Sequence, residues 1–257
     1  MAEASVEKAP RRTSGWLVVA RKELADHLNS VRLLIVIGIV ALAGVGAVYA
    51  VASEIRGVAD RASGDPLLFL RLFTIAPERL QQFSYAGLVG LLVPLLGIAF
   101  GFDAVNGERS QGTLPRLVSQ PIHRDDVING KFAAGLAVIA MMLGLLTALV
   151  AAVGLIRLGL APSFGEITRV LGFWVVAVVY AGFWLALSML FSVAFQRAAT
   201  SALAAIAAWL VLTIFAGFLI GILVSAAAPE EPTPEEQIAN AQLGVNLSRL
   251  SPATLYA

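Results

Sequence analysis

Residues 132–156 read FAAGLAVIAMMLGLLTALVAAVGLI, a run with no Asp, Glu, Lys, Arg or His. An α-helix rises about 1.5 Å per residue, so about 20 such residues cross the roughly 30 Å of hydrocarbon in a bilayer. In lipid every backbone N–H and C=O needs an internal partner, which a helix supplies and an open sheet does not. The run is also too continuously apolar for a barrel strand, in which lipid-facing and lumen-facing residues alternate. It therefore reads as a spanning helix.

Four more runs read the same way: 33–52, 84–102, 170–195 and 202–227, each free of charge. The chain is expected to be an all-α polytopic membrane protein with five transmembrane helices. Pro94 falls in the middle of the 84–102 run, where a missing N–H predicts a helix kink. The 170–195 run is aromatic, with Phe173, Trp174, Tyr180, Phe183, Trp184, Phe191 and Phe195, whereas small residues crowd the first, third and fifth runs, as close helix packing requires.

Composition agrees. Of 257 residues, 58% are apolar and 14% charged, with a mean hydropathy of +0.83, against about 25% charge in a soluble domain. A net charge of +1 without a dense basic cluster gives no case for nucleic-acid binding. The absence of cysteine removes disulfides, thiolate metal sites and thiol nucleophiles, and His27 and His123 have no metal-ligand spacing. No Ser/His/Asp or paired-carboxylate arrangement lies within the runs, so an intramembrane enzyme is disfavoured. Ser188, Ser192, Thr147 and Thr213 read as packing hydroxyls, and any path through the helices is mostly apolar.

Counting Lys and Arg in the connecting segments sets the orientation. With the N-terminus cytoplasmic, eleven lie inside and seven outside, so a cytoplasmic N-terminus is expected. Residues 1–32 then form the cytoplasmic N-terminus, 33–227 the transmembrane domain, and 228–257 an external tail. Within the first of these, Leu17, Ala20, Leu24, Leu28 and Val31 recur at helical spacing from Trp16 onward. They predict an N-terminal interfacial helix, the alternative being a direct extension of the first span. The external segment 53–83 carries an apolar cluster, Leu67 to Phe73, suited to an interfacial helix or a lid on the outer bundle surface.

The most specific text is the cytoplasmic segment 103–131, DAVNGERSQGTLPRLVSQPIHRDDVINGK. Gly112 and Pro115 punctuate a short element bearing Leu114, Leu117 and Val118, and Pro121 ends it. Asp125 and Asp126 favour the first turn of a new helix leading to Lys131. A short apolar-faced element at the membrane surface suits docking in a groove of a soluble partner, the alternative being an ordinary solvated loop.

Glu108-Arg109-x-x-Gly112-Thr113-Leu114, with Leu117-Val118-Ser119-Gln120-Pro121, Arg124 and Gly130-Lys131, resembles the signature of type-two ABC exporter permeases. The phrase is especially similar to the branch associated with maturation of multicopper enzymes, including nitrous-oxide reductase. The segment Asn246 to Pro252 is similar to that branch's external loop. The resemblance implies a plasma (inner) membrane permease, homodimeric or paired with a second permease subunit and surrounded by lipid, that works with a cytoplasmic ABC ATPase subunit. ATP and magnesium would be bound by that partner, because this chain has no Gly-x-x-x-x-Gly-Lys-[Ser/Thr] phosphate loop and no cofactor of its own. It further implies a coupling helix at about 112–120, with Glu108, Arg109, Gly112, Thr113, Leu114, Leu117, Ser119, Pro121, Arg124 and Lys131 transmitting motion and performing no chemistry. Such permeases usually have six crossings, and the sequence stops at Ala257 within what resembles the last external loop. The resemblance therefore implies a six-helix permease lacking its last helix, the alternative being one that works with five. A non-transporting membrane anchor or assembly scaffold is the competing functional class.

Overall fold

Three helices carry the architecture of the computed structural model, which describes residues 14–42, 68–74, 84–113, 123–158 and 161–227 together with isolated positions elsewhere. They are α4 (Tyr85–Gly101), α6 (Arg124–Leu158) and α7 (Phe164–Ala194), and each is long and apolar enough to cross a membrane. Around them lie α1 (Gly15–Leu28), α2 (Val31–Leu42), α3 (Leu68–Thr74), the short α5 (Asn106–Ser110), α8 (Ala198–Leu210) and α9 (Ala216–Ala227). All regular elements among the described residues are helical.

Two further candidate crossings are bent pairs of helices. Helices α1 and α2 meet at 65° across Asn29 and Ser30. The corner has its own hydrogen bonds: Asn29 Nδ2 donates to Ala25 O at 2.8 Å, Ser30 Oγ donates to His27 O at 2.7 Å, and Leu33 N donates to Ser30 Oγ at 3.2 Å. Helix α1 is thus not collinear with the first apolar run. The fifth run is divided by a π-turn at Val211–Phe215, and its halves differ in direction by 42°. The described residues accordingly hold three to five candidate spans. Residues 43 and 45 and the 47–52 part of the first run lie outside the described residues, as does most of 53–83 and of 228–257.

Helix boundaries extend past the apolar runs. Helix α6 begins at Arg124, eight residues before the run, with Asp125 and Asp126 in its first turn where the helix dipole favours them. At 35 residues it measures about 52 Å, well beyond the hydrocarbon thickness, so its first two turns stand clear as a polar post. Helix α7 starts six residues before its run because Ser163 and Glu166 form a capping box. Helix α4 starts where Ser84 Oγ accepts from Gly87 N at 3.1 Å, and continues without a break through Pro94, which is fully buried.

The core lies between α4, α6 and α7, with Val93, Ile139, Ala181 and Trp184 fully buried. The α4–α7 contact is set by Gly97 and Gly101, one helical turn apart. A Cβ at Gly97 would lie 2.7 Å from Trp184 Cβ, and one at Gly101 2.8 Å from Ser188 Cβ. The spacing is the small-xxx-small pattern that brings two membrane helices into backbone contact. Ser188 Oγ donates across the seam to Ile98 O at 3.3 Å. Leu145, Ile156, Val179, Leu190 and Leu203 point away from the core, as lipid-facing side chains do.

Candidate functional site

At one end of the bundle, where α4 ends, α6 begins and α1 crosses, the charged residues gather. The connection from α4 into α5 is anchored by Ser192 of α7, whose Oγ accepts from Val105 N at 3.0 Å and Asn106 N at 3.2 Å. Helix α5 then stops after five residues, and the stop explains the Glu-Arg-x-x-Gly-Thr spacing. Gly112 N donates to Arg109 O at 3.2 Å and Thr113 N to Glu108 O at 3.0 Å. These two bonds, with Gly112 at φ +67°, make a Schellman cap, and the left-handed position favours glycine. Thr113 Oγ1 also donates to Glu108 O at 3.2 Å. The motif fixes where the chain leaves α5 to enter residues 114–122.

Glu108 faces inward from this capped turn. Lys131 Nζ lies 2.8 Å from Glu108 Oε1 and 3.0 Å from Glu23 Oε1. Lys131 is 7% exposed, Glu23 11% and Glu108 16%. One buried ammonium therefore joins α5, α6 and α1. Lys22 extends the chain of charges outward, to Glu23 at 3.0 Å and Asp26 at 2.9 Å. Burial alone would raise the Glu23 carboxyl, but Lys131 and Lys22 outweigh it and hold Glu23 below the ordinary 4.5.

A second clamp ties α2 to α4. Arg32 makes a two-pronged ion pair with Asp103, with Nη1 2.9 Å from Oδ1 and Nη2 on Oδ2. It also donates to Ala99 O at 3.1 Å and lies over the Phe102 ring at 5.2 Å. Asp103 raises the Arg32 pKa further and keeps it charged. His27 packs edge-on against Phe100, and burial pushes its imidazole below 6.5. A cavity of about 240 Å³ lies among these groups, lined by Glu23, Arg32, Asp103, Glu108 and Lys131 among others. Helix α1 reaches this hub because Gly130 lets it: a Cβ there would be 2.7 Å from Val19 Cβ and 2.8 Å from Trp16 O.

Of the residues singled out in the sequence, the fold unites Glu108 and Lys131, and gives Gly112 and Thr113 their capping roles. Arg109 is set apart, donating to Phe195 O at 3.4 Å, and Arg124 is exposed at the start of α6. Leu114, Leu117, Ser119 and Pro121, and the coupling helix expected at 112–120, lie outside the described residues beyond Thr113. Glu23, Arg32 and Asp103 had no site role in the sequence, and Ser192, read there as a packing hydroxyl, accepts from the backbone between α4 and α5. Glu23 lies off the apolar stripe read from the sequence, and α1 buries Val19 and Glu23 while Leu28 and Val31 of that stripe are exposed. Arg32 and Asp103 flank two apolar runs and meet only through the fold.

The fold and this hub define a multi-pass helical membrane protein with a structured polar end built on the 103–131 segment. The ABC-2 family transporter protein profile matches residues 17–257, and the chain belongs to that family, with an ABC-2 transporter permease domain. It is 32% identical over 123 residues to the probable ABC transporter permease protein NosY of Stutzerimonas stutzeri, covering 48% of this chain and 39% of that protein. It is also 32% identical over 114 residues to the NosY protein of Pseudomonas aeruginosa, covering 44% and 36%. The matched stretch thus spans less than two fifths of either relative's length.

Proposed function

We propose that this chain is the membrane-spanning permease subunit of an ATP-driven exporter in the plasma (inner) membrane, with its N-terminus cytoplasmic. Separate cytoplasmic ATPase subunits bind ATP and magnesium, and the permease works as a dimer or with a second permease subunit. The observation that carries this reading is the Glu23–Lys131–Glu108 bridge. Force applied to the segment after Thr113 enters at Glu108, passes through Lys131 into a helix of 35 residues, and passes through Glu23 into α1. Closure of the ATPase subunits around ATP then tilts α6 and α1 together, and the bundle alternates its access between the two sides. Family membership and the permease names of the relatives support the same assignment.

Leu114 and Leu117 are the apolar anchors of the docking element in this reading. Replacing both with alanine is expected to reduce recovery of the co-purified ATPase at least about tenfold, because few anchors dominate such interfaces. Leu145→Ala, on a lipid-facing position, leaves recovery unchanged. Mild extraction that yields intact permease with no ATPase subunit attached would defeat the proposal.

A further inference from the structure

The end of the bundle remote from the ion hub carries a second device. Tyr85, the late turns of α6 and the start of α7 meet there, and α3 packs against all three helices. Helix α3 has only seven residues, too few to persist alone in water. Two things hold it. Phe69 and Phe73 are each 4% exposed, with Phe73 edge-on to Tyr85 at 5.1 Å between ring centres. Tyr85 in turn touches Phe173 of α7 and shares a 2.5 Å hydrogen bond with Thr147 of α6.

The other is Glu166, itself only 4% exposed. Its two oxygens serve different segments. Oε2 accepts from Ser163 N and Ser163 Oγ, both at 2.9 Å, completing the cap of its own helix. Oε1 accepts from Phe69 N at 3.0 Å and Leu70 N at 3.3 Å, nearly a hundred residues away in the chain. These are orphan N–H groups at the start of α3, where a carboxylate is favoured by both hydrogen bonding and the helix dipole. A capping box alone needs only the first pair of bonds. The second pair makes Glu166 a tie between α7 and an external segment.

We propose that Leu68–Thr74 is a plug closing this end of the bundle and that Glu166 is its latch, so that opening toward this side requires the Oε1 bonds to break. Since α3 touches α4, α6 and α7 together, their ends cannot part while it is seated. The proposal rests on the permease reading for its role in transport, but the latch itself does not.

The two parts separate by hydrogen exchange on the chain in lipid nanodiscs. Glu166→Ala is expected to speed exchange of the Phe69 and Leu70 amides about tenfold or more, since each loses a charge-assisted bond, with the 123–158 amides unaffected. Ser163→Ala weakens only the α7 cap and leaves α3 exchange within about twofold. Glu166→Gln, which retains an acceptor oxygen, falls between them. Equal α3 exchange in Glu166→Ala and the unaltered chain overturns the latch. For the plug, the complex with its ATPase is trapped with ATP and vanadate. Exchange of the Phe69 and Leu70 amides rises in the unaltered chain, while in Glu166→Ala it is already fast and does not change. A trapped complex with bound, hydrolysis-competent ATPase and unaltered α3 exchange overturns the plug while sparing the permease reading. Failure of any ATPase to bind overturns the plug's transport role together with that reading.

Discussion

Replacing Lys131 with methionine should lower unfolding stability by about 3 kcal/mol or more, read as a drop in melting temperature in detergent. Lys131 is the single cation between Glu23 and Glu108, and all three are largely withdrawn from water. Removing one partner of a buried ion pair leaves an uncompensated charge, which typically costs about 3–5 kcal/mol. Here Glu108 would lose its cation, while Glu23 would keep Lys22 at 3.0 Å. The triple change Glu23→Gln, Lys131→Met and Glu108→Gln is therefore expected to recover most of the loss, since it removes the three buried charges together and leaves Lys22 paired with Asp26 at the exposed edge. If Lys131→Met alone melts like the unaltered protein, the bridge does not hold the hub together. The same network sets an acid limit. Glu23 titrates below its ordinary 4.5 when folded, so its contribution is complete above that value and disappears as pH falls through the lower folded value. Glu23→Gln should remove that part of the acid dependence.

Adding a single methyl group at Gly97 or Gly101 should be the most damaging small change in the membrane core. A Cβ at Gly97 would meet Trp184 Cβ at 2.7 Å and Leu185 N at 2.8 Å, and one at Gly101 would meet Leu185 O at 2.9 Å. These obstacles are backbone and Cβ atoms, which no rotamer change can move. Helices α4 and α7 must separate, and overpacking of this kind costs about 1–3 kcal/mol per site. The Gly97→Ala, Gly101→Ala double variant is expected to lose monodisperse protein in detergent and to shift the melting temperature well below that of either single variant. Gly172→Ala is the control, because nothing lies within 4 Å of a Cβ there. Equal behaviour of the double variant and Gly172→Ala would show that α4 and α7 are not in backbone contact at Gly97 and Gly101.

The apolar runs were readable because lipid admits few solutions: 132–156 had to be a helix, and α6 contains it. Apolar periodicity did not mark where that helix begins, but Asp125 and Asp126 did, as acidic residues suited to a first turn, and α6 starts at Arg124. The bend at Asn29–Ser30 was not legible, since the apolar spacing from Leu17 runs on to Val31, whereas α1 ends at Leu28 and the chain turns by 65°. The Glu108-Arg109-x-x-Gly112-Thr113 phrase stood out in the sequence, and its spacing is that of a helix cap. Its ionic partners were hidden: Glu23 lies 85 positions before Glu108, and nothing local records that Lys131 joins them. Gly97 and Gly101 were legible in principle from their four-residue spacing, but Pro94 nearby draws attention to a kink and away from the seam.

The most direct test of the permease assignment is to place a photo-cross-linking amino acid at Leu117 in the full chain and irradiate intact cells. One dominant adduct is expected, whose mass spectrum identifies an ABC-type ATPase subunit, and it is lost when the same residue is placed at lipid-facing Leu145. Adducts at Leu117 that contain only lipid or the chain itself, in cells where the ATPase subunit is present, would contradict the assignment.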